Sequence, residues 1–529
     1  MKIQIKRILA LAITAGVLWG CAVGIQATYA KPHHTAENVI MLIPDGSSIA
    51  STTLARLYQD GKPLAMDEIA AGLSKTYWSD GPITDSAPGG TALATGHKTY
   101  NAYVGVLPKK DGEKPVASVL EAAKLEGKAT GLVVTSNIQH ATPADFSAHY
   151  PDRGRYDILG EQQVYNRLDV VLGAGSQYLE KDKRRDKEDL VRVLKDKGYE
   201  YITTPQEMQS SKANKLWGMF DPDRLRRDFD RDPKKEPSLA EMTAKALEVL
   251  SKDKDGFFLM VEGSQIDWSA HAKDPVGVIS DVLAFDKAVG VALDFAKKDG
   301  NTVVVAVSDH GTGGITIGDA GVDGDYYKIP FSRILDTLKK AKLTSEGTVS
   351  KFSPDRSNVR EVVAEYYGIA DLTAEEEKAI KEARDPNVPL VAAMRARCHI
   401  GWTTIGHTGE DVPMYVYAPK TVERLTGVVE NTDIAKYVAK VMGVDLDKTT
   451  ERLFVSAKPA YESKGATAEL DVTDEQNPVF VVTKGSYVLK LSVNKNIAEL
   501  NGKIIELPGV TVYNGTDVYV SKDAINLIK

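Results

Sequence analysis

The sequence predicts an α/β protein with a central, mostly parallel sheet flanked by helices on both faces, plus a small C-terminal β-rich domain. Two observations support the first part. Six short apolar runs without alternation, starting at residues 38, 129, 169, 256, 301 and 412, are typical of strands buried on both faces. Helical patterns such as SVLEAAKLEGK separate these runs, and strand–helix repetition is typical of parallel sheets.

A change of pattern after about Ser456 predicts the C-terminal domain. Residues 456–478 are polar and resemble a linker or an edge segment, whereas residues 479–529 alternate between apolar and polar positions, as half-buried strands do. Turns are indicated at Asn501-Gly502 and Asn514-Gly515. We therefore expect a main domain over residues 31–455, a linker over 456–478 and an accessory domain over 479–529. The highly charged stretch from about 181 to 237 is predicted to be helix and loop at the periphery.

The apolar runs of the main domain end in polar residues. In a parallel sheet, ligands bind beyond the carboxyl ends of the strands. Strands buried on both faces have no structural need for acids and histidines at one end, so these residues predict a functional site there. They are Asp45, His140, Thr142, Glu262, Asp267, Asp309 and His310.

Composition narrows the classes of function. The chain has 529 residues, ordinary apolar and charged fractions and a formal net charge of −7. This charge argues against a general nucleic-acid surface. Any chemistry on phosphate would need local positive charge from arginine or from metal ions.

The N-terminal segment predicts export. Basic residues at Lys2, Lys6 and Arg7 precede an apolar run, and ATYA ends at Ala30 with small residues suited to signal peptidase. We expect a signal peptide over residues 1–30 and a periplasmic, extracellular or cell-surface protein. A lipid on Cys21 and an uncleaved anchor stay open as alternatives, and each also places the protein outside the cytoplasm. Cleavage after Ala30 would leave Cys398 as the sole cysteine, without an intrachain disulfide.

The stretch ITDSAPGGTALATG places Ser86 at the start of a helix of small residues. Such a serine exposes its hydroxyl, and the backbone N–H groups behind it can receive an anion. The alternative interpretation is an Asp/Ser cap on a tightly packed helix. The remaining motifs decide between the two.

Residue types in the other motifs favour metal binding. Asp267 and His271 are four residues apart, so on a helix they share one face. Asp309-His310 follows an apolar run, and His407 lies in a separate HTG motif. Mixed aspartate and histidine ligands suit Zn²⁺, whereas a set of Asp, Thr and Glu oxygens suits Mg²⁺.

Taken together, the motifs resemble those of the alkaline phosphatase family over roughly residues 37–452. They are PDG at Asp45, TDSAPGGTALATG at Ser86, HATP at His140, VEGSQID followed by His271, SDHGTGG at Asp309, and HTGEDVP at His407. The resemblance implies two zinc ions and one magnesium ion. Its implied ligands are Asp267, His271 and His407 for the first zinc, Asp45, Asp309 and His310 for the second, and Asp45, Thr142 and Glu262 for magnesium.

The same resemblance implies that Ser86 is a nucleophile that becomes phosphoserine. Arg153, eleven residues after Thr142, matches the arginine that binds phosphate, and Arg155 is the competing candidate. The best-known bacterial pattern has Asp in place of His140 and Lys in place of Trp268. We expect His140 to lie behind the ligands and Trp268 to pack near the mouth of the site. Zn²⁺ or Co²⁺ could replace Mg²⁺ if His140 reaches the ion.

The expected function is that of an exported alkaline phosphatase, a phosphomonoesterase that releases inorganic phosphate. The alternatives are a phosphodiesterase or phosphonate hydrolase, and a non-catalytic surface protein that adheres through its C-terminal domain. That domain resembles the copper amine oxidase N-terminal-like domain, although no His or Cys cluster is present to bind copper. The family resemblance implies a homodimer. The role of the C-terminal domain stays open between covering the site, contact with the cell envelope and neither, and a lipid on Cys21 would be a second envelope contact.

Overall fold

A computed structural model describes residues 35–529, which form one compact unit. The expected signal peptide and Cys21 lie outside the described residues. Among the helices of residues 35–529, none is long and apolar enough to cross a membrane.

Ten strands form the central sheet, in the spatial order β14-β2-β13-β8-β1-β7-β3-β4-β6-β5. Nine of them run in one direction, and β13 alone is antiparallel to its neighbours β2 and β8, so the predicted mostly parallel sheet is confirmed. The strands are β1 (Asn38–Ile43), β2 (Ala70–Lys75), β3 (Ala129–Asn137), β4 (Val170–Ala174), β5 (Glu200–Ile202), β6 (Leu216–Met219), β7 (Phe257–Glu262), β8 (Thr302–Val307), β13 (Val412–Tyr417) and β14 (Gly427–Glu430).

Two short antiparallel pairs lie between β8 and β13 in the chain. They are β9 (Gly311–Thr312) with β12 (His407–Thr408), and β10 (Ile315–Ile317) with β11 (Ile400–Trp402). The pairing of β9 with β12 brings a distant segment to the end of β8, where the predicted site lies.

Helices cover both faces of the sheet because alternate residues of each strand face two separate apolar cores. In β1, Ile40 and Leu42 belong to one core, whereas Val39, Met41 and Ile43 belong to the other. The helices up to the end of the main domain are α1 (Ile49–Tyr58), α2 (Ser86–Thr95), α3 (Val119–Leu125), α4 (Ala141–Asp145), α5 (Tyr156–Asn166), α6 (Leu190–Asp196), α7 (Pro205–Ser210), α8 (Leu239–Leu250), α9 (Gln265–His271), α10 (Pro275–Asp299), α11 (Phe331–Lys340), α12 (Ser345–Val349), α13 (Val359–Tyr366), α14 (Ala374–Glu382), α15 (Asn387–Cys398), α16 (Asn431–Met442) and α17 (Leu446–Leu453).

Residues 455–529, which we call the C-terminal β region, have a core of their own. Two helices, α18 (Ala457–Glu462) and α19 (Lys522–Ile525), pack on two small sheets. A three-stranded sheet has the order β15-β22-β21, and an antiparallel sheet has the order β16-β17-β18-β19-β20. The strands are β15 (Val455–Ser456), β16 (Thr467–Asp471), β17 (Val479–Lys484), β18 (Tyr487–Ser492), β19 (Ile497–Leu500), β20 (Lys503–Glu506), β21 (Val512–Tyr513) and β22 (Val518–Val520).

Two segments differ from the sequence-based expectation. The expected linker, 456–478, contains α18 and the edge strand β16; an edge strand tolerates polar residues because one side of it faces water. The charged stretch 181–237 contains β5, an edge strand of the central sheet, and its neighbour β6. The domain boundaries and the likeness to the copper amine oxidase module stay predictions.

Candidate active site

Adjacent strands of the central sheet bring the predicted site residues together. β1 lies between β7 and β8, and β3 follows β7, so their carboxyl ends share one edge. Asp45 follows β1, Glu262 is the last residue of β7, and Asp309 follows β8. Because α9 begins three residues after β7, its Asp267 and His271 reach the same edge. His407 arrives through the pairing of β12 with β9.

One cluster consists of Asp267, His271 and His407, whose ligand atoms lie within 4.8 Å of one another. His271 Nε2 is 3.2 Å from Asp267 Oδ2 and 3.1 Å from His407 Nε2. The other ring nitrogens donate to backbone oxygens, those of Ile405 and Thr84. These bonds fix both rings with Nε2 facing the cluster, as metal-ligating histidines require.

A second cluster, formed by Asp45, Asp309 and His310, lies beside Ser86. His310 Nε2 is 3.3 Å from Asp309 Oδ2 and 3.5 Å from Asp45 Oδ1. The same nitrogen is 3.3 Å from Ser86 Oγ. A cation held by this cluster would therefore lie next to the serine hydroxyl.

The third cluster groups Asp45 with Glu262 and His140. Thr142 Oγ1 is fully buried in the adjacent helix α4 and has no hydrogen-bond partner within residues 35–529. A ring nitrogen of His140 lies within 4.8 Å of a carboxylate oxygen of Asp45 and of Glu262. That His140 lies behind the ligands, rather than binding the ion, stays a prediction. Trp268 packs edge-on against His140, with ring centroids 5.5 Å apart, and is partly exposed.

The electrostatics of these clusters fit bound cations. Burial, and next the charge of Asp309, raises the pKa of Asp45 far above its usual value. Burial likewise raises the pKa of Glu262 to about 8. A buried carboxylate without a partner is costly unless a cation compensates it. Several buried ligand atoms have no hydrogen-bond partner within residues 35–529: both carboxylate oxygens of Asp45, Glu262 Oε1, Asp309 Oδ2 and His140 Nδ1.

Ser86 is the first residue of α2, and all ten residues of this helix are buried. Small residues are required here because a Cβ added at Gly90 would lie 2.2 Å from Asp145 Oδ2. Asp85 occupies the N-cap position but makes no capping hydrogen bond with its side chain. A capping role therefore does not explain Asp85. The backbone N–H groups at the start of α2 can donate hydrogen bonds to a bound anion.

Two arginines follow α4, and they have different partners. Arg153 Nη1 donates to Asp85 Oδ2 at 2.5 Å, and Nη2 donates to His140 Nε2 at 3.0 Å. Arg155 instead makes two hydrogen bonds to Asp157. The guanidinium of Arg153 thus lies at the site, whereas that of Arg155 makes no hydrogen bond to a site residue within the described part of the chain. The eleven-residue spacing from Thr142 likewise favours Arg153 over Arg155. Burial raises the pKa of Asp85, but the charge and the hydrogen bond of Arg153, together with the charges of His310 and His407, outweigh burial and lower that pKa.

Sequence reasoning missed several residues that orient the site. Asp85 holds Arg153, and Thr312 donates to Asp267 Oδ1 at 2.6 Å. Ser136 Oγ lies 3.4 Å from Glu262 Oε2. Asp85 and Thr312 could have been identified from the sequence, because Asp85 lies in the motif TDSAPGG and Thr312 lies in the motif SDHGTGG. Ser136 carries no comparable signal, since it lies inside a buried strand.

Comparisons with known proteins agree with this geometry. The family model of alkaline phosphatase matches residues 36–444. Alkaline phosphatase 4 of Bacillus subtilis (strain 168) is 38% identical over 470 residues, which cover 84% of this chain and 97% of the relative. The crystal structure of Thermus thermophilus alkaline phosphatase has a TM-score of 0.71 at 29% identity, covering 78% of this chain and 92% of its own.

A further solved structure is a histidine-to-aspartate variant of the alkaline phosphatase from the Antarctic bacterium TAB5, with magnesium bound in the site called M3. It has a TM-score of 0.58 at 30% identity and covers 78% of this chain and 99% of its own. The family model and the Bacillus relative both span most of the chain. The chain therefore belongs to the alkaline phosphatase family, whose members are phosphomonoesterases.

Proposed function

We propose that this chain is an exported alkaline phosphatase that hydrolyses phosphate monoesters through a phosphoserine on Ser86. Two zinc ions and one magnesium ion are its cofactors in this proposal. The observation that carries it is the position of Ser86 Oγ, 3.3 Å from His310 Nε2, beside buried carboxylates that each retain at least one oxygen without a hydrogen bond within residues 35–529.

The proposed ligand sets follow the three clusters. Asp267, His271 and His407 would hold the first zinc, and Asp45, Asp309 and His310 the second. Asp45, Thr142 and Glu262 would hold magnesium, the ion found in the M3 site of the TAB5 variant. When bound, such cations lower the pKa of a nearby hydroxyl and stabilise the charge on entering and leaving oxygens.

The residues of the chain supply binding, orientation and the nucleophile. Arg153 is held through Nη1 by Asp85, so its planar fork is oriented to grip phosphate oxygens. The start of α2 adds backbone N–H donors behind the phosphoryl group. Ser86 Oγ attacks phosphorus in line, the P–O bond to the alcohol breaks, and phosphoserine forms. Water then attacks the phosphoserine, which frees inorganic phosphate and restores the hydroxyl of Ser86.

The test compares kcat/KM for an aryl phosphate monoester with kcat/KM for the matching diester, with Zn²⁺ and Mg²⁺ supplied. We expect a ratio far above one, and Ser86→Ala should abolish the burst of phosphoenzyme and lower kcat by about 100-fold or more. The control, Ser210→Ala, removes an exposed hydroxyl and should change neither. A ratio near or below one would favour a phosphodiesterase. Unchanged turnover in Ser86→Ala would refute the nucleophile assignment.

Export rests on the N-terminal segment, and the homodimer rests on the family resemblance. Both therefore stay part of this proposal. Contact of the C-terminal β region or of a lipidated Cys21 with the cell envelope is likewise proposed from the sequence alone.

A further inference from the structure

The C-terminal β region inserts two polar side chains into the main domain. Asn494 and Lys495 lie in the turn between β18 and β19. Lys495 Nζ is 2.8 Å from Glu188 Oε2 and 3.3 Å from Glu161 Oε1. The side chain of Lys495 is only 16% exposed, and that of Glu161 only 5%. A charged group so deeply placed is held by its partners and is costly to unpair.

Asn494 extends the same contact to α5. Its Nδ2 donates to Glu161 Oε2 at 3.1 Å, and its Oδ1 accepts from Gln162 Nε2 at 3.1 Å. Asn494 has a positive φ of 63°, a conformation that asparagine tolerates better than most residues. Both hydrogen-bonding functions of one amide are thus used on adjacent residues of α5.

Helix α5 is joined to the loop that carries Arg153. The loop leads directly into α5, because Arg155 is the residue before its first turn and accepts from the N–H of Leu159. The start of the loop is also tied to the helix, since His149 N donates to Gln162 Oε1 and Gln162 Nε2 donates to His149 O. Both ends of the Tyr150–Arg155 loop therefore depend on the position of α5.

The Tyr150–Arg155 loop is also hydrogen-bonded to a neighbouring segment, since Tyr150 pairs with Val104 and Arg153 N donates to Ala102 O at 2.8 Å. Toward the C-terminal β region the loop borders a cavity of about 290 Å³, lined by Tyr150, Arg155 and Asp157 on one side and by Val472 and Tyr513 on the other. The contact of Lys495 and Asn494 with α5 bridges the two sides beside this cavity.

We propose that Lys495 and Asn494 are positioning residues for the phosphatase reaction, which hold α5 and thereby set Arg153 for phosphate binding. The C-terminal β region is then part of the catalytic apparatus rather than a tethered accessory. The inference rests on the proposed role of Arg153. It predicts that loss of Lys495 weakens affinity for phosphate groups while the chemical step at Ser86 is left nearly intact.

The experiment uses the full-length enzyme with Zn²⁺ and Mg²⁺, and inorganic phosphate as a competitive inhibitor. We expect Lys495→Met to raise Ki for phosphate and KM for an aryl phosphate about five-fold or more, with kcat changed less than two-fold. Lys495→Arg should restore both constants. The matched control is Lys490→Met, which removes a half-exposed lysine from an ion pair with Glu499 in the same sheet and should change neither.

A double-mutant cycle separates positioning from general stability. In an Arg153→Ala background, Lys495→Met should produce no further rise in Ki for phosphate, because its effect passes through Arg153. An equal rise in both backgrounds, or an unchanged Ki and KM in Lys495→Met, would overturn the proposal. If Lys495→Met does not fold, Asn494→Gly is measured instead; it removes both amide bonds and retains the backbone conformation.

Failure of the proposed function gives a different result. If Arg153→Ala alone leaves Ki for phosphate unchanged, the role of Arg153 is refuted and the positioning proposal falls with it. If Arg153→Ala weakens phosphate binding but Lys495→Met does not, the positioning proposal alone is refuted.

Discussion

Two clusters of buried acidic side chains in this chain differ in what balances their charge. At the carboxyl edge of the sheet, Asp45, Asp309 and Glu262 form no ion pair with a lysine or arginine of residues 35–529, and only the His310 ring pairs with Asp45 and Asp309. Near the C-terminal β region, a comparable trio, Glu161, Asp186 and Glu188, receives side-chain cations. Lys495 Nζ pairs with Glu188 Oε2 at 2.8 Å and also lies 3.3 Å from Glu161 Oε1, and Arg184 pairs with Asp186.

The difference teaches how to distinguish a site from a structural contact. Proximity of three carboxylates is common to both clusters, so proximity alone identifies neither. The cluster at the sheet edge also contains His310, whose Nδ1 lies 3.2 Å from Thr312 Oγ1, and it borders Ser86 at a helix start. In the cluster of Glu161, Asp186 and Glu188, a lysine of the same chain, Lys495, supplies positive charge. A cation from solution is needed only in the cluster at the sheet edge.

The largest expected effect comes from removing metal ions. Chelation should lower phosphatase activity by about 100-fold or more, and Zn²⁺ with Mg²⁺ should restore it. In the chelated protein at pH 8, Asp45→Asn should raise the free energy of unfolding by about 1–3 kcal/mol, because it removes a carboxyl group whose ionised form is destabilised by burial and by neighbouring carboxylates.

The same acid-to-amide change in the cluster of Glu161, Asp186 and Glu188 should change the free energy of unfolding in the opposite direction. Glu188→Gln removes the nearer partner of Lys495 and should lower the free energy of unfolding by about 1–2 kcal/mol, with or without metal. Denaturant unfolding of both variants checks this pair. Effects of the same sign would break the comparison between the clusters.

A smaller effect concerns pH. Burial raises the pKa of Glu161 to about 8, although Lys495 opposes the shift and Glu188, Arg184 and Asp186 also act on it. Between about pH 5 and 8 the folded protein therefore binds a proton that the unfolded chain has lost, so stability falls as pH rises. The contribution of this group is at most about 1.4 kcal/mol per pH unit.

Glu161→Gln should remove this contribution, so that the free energy of unfolding of the metal-loaded enzyme varies less with pH. The control is Glu499→Gln, a change in the exposed pair with Lys490, which should leave the slope as in the wild type. An identical slope in Glu161→Gln would show that the carboxyl group is ionised throughout this range.

The smallest expected effect is on activation by Mg²⁺, through the cluster of Asp45, Glu262 and His140. His140→Asp adds a carboxylate oxygen, which Mg²⁺ prefers to imidazole nitrogen, so half-maximal activation should need several-fold less Mg²⁺. Turnover in saturating Mg²⁺ should persist. A Mg²⁺ titration of activity checks this, with His97→Asp at the far end of α2 as control. Complete loss of activity in excess Mg²⁺ would contradict the expected role of His140.

Much of the site could be predicted because its residues follow strands. Parallel strands share one edge at their carboxyl ends, so Asp45, Glu262 and Asp309 were expected to meet before any geometry was known. The six apolar runs all form strands of the central sheet. The two edge strands β5 and β14 and their neighbours β6 and β2 were not foreseen, because they are short or partly exposed and lack a long apolar run.

The contact between Lys495 and α5 could not be foreseen. It joins residues more than three hundred positions apart, and nothing in the local sequence marks a lysine that will be buried beside two glutamates. The edge strand β16 was partly foreseen, since an edge segment was one interpretation of residues 456–478. The pairing of Asp85 with Arg153 required the fold, although each residue lay in or near a quoted motif.

The position of β1 in the sheet has a consequence for how the protein is made. β1 is the first strand of residues 35–529 to leave the ribosome, yet its two neighbours, β7 and β8, end at Glu262 and Val307. Until they emerge, the apolar strand NVIMLI has no partner on either side and is a hazard for aggregation. A chaperone that recognises this strand would protect the nascent chain. Asp45, two residues beyond β1, gains its neighbours Asp309 and His310 only after more than half of the polypeptide has been synthesised.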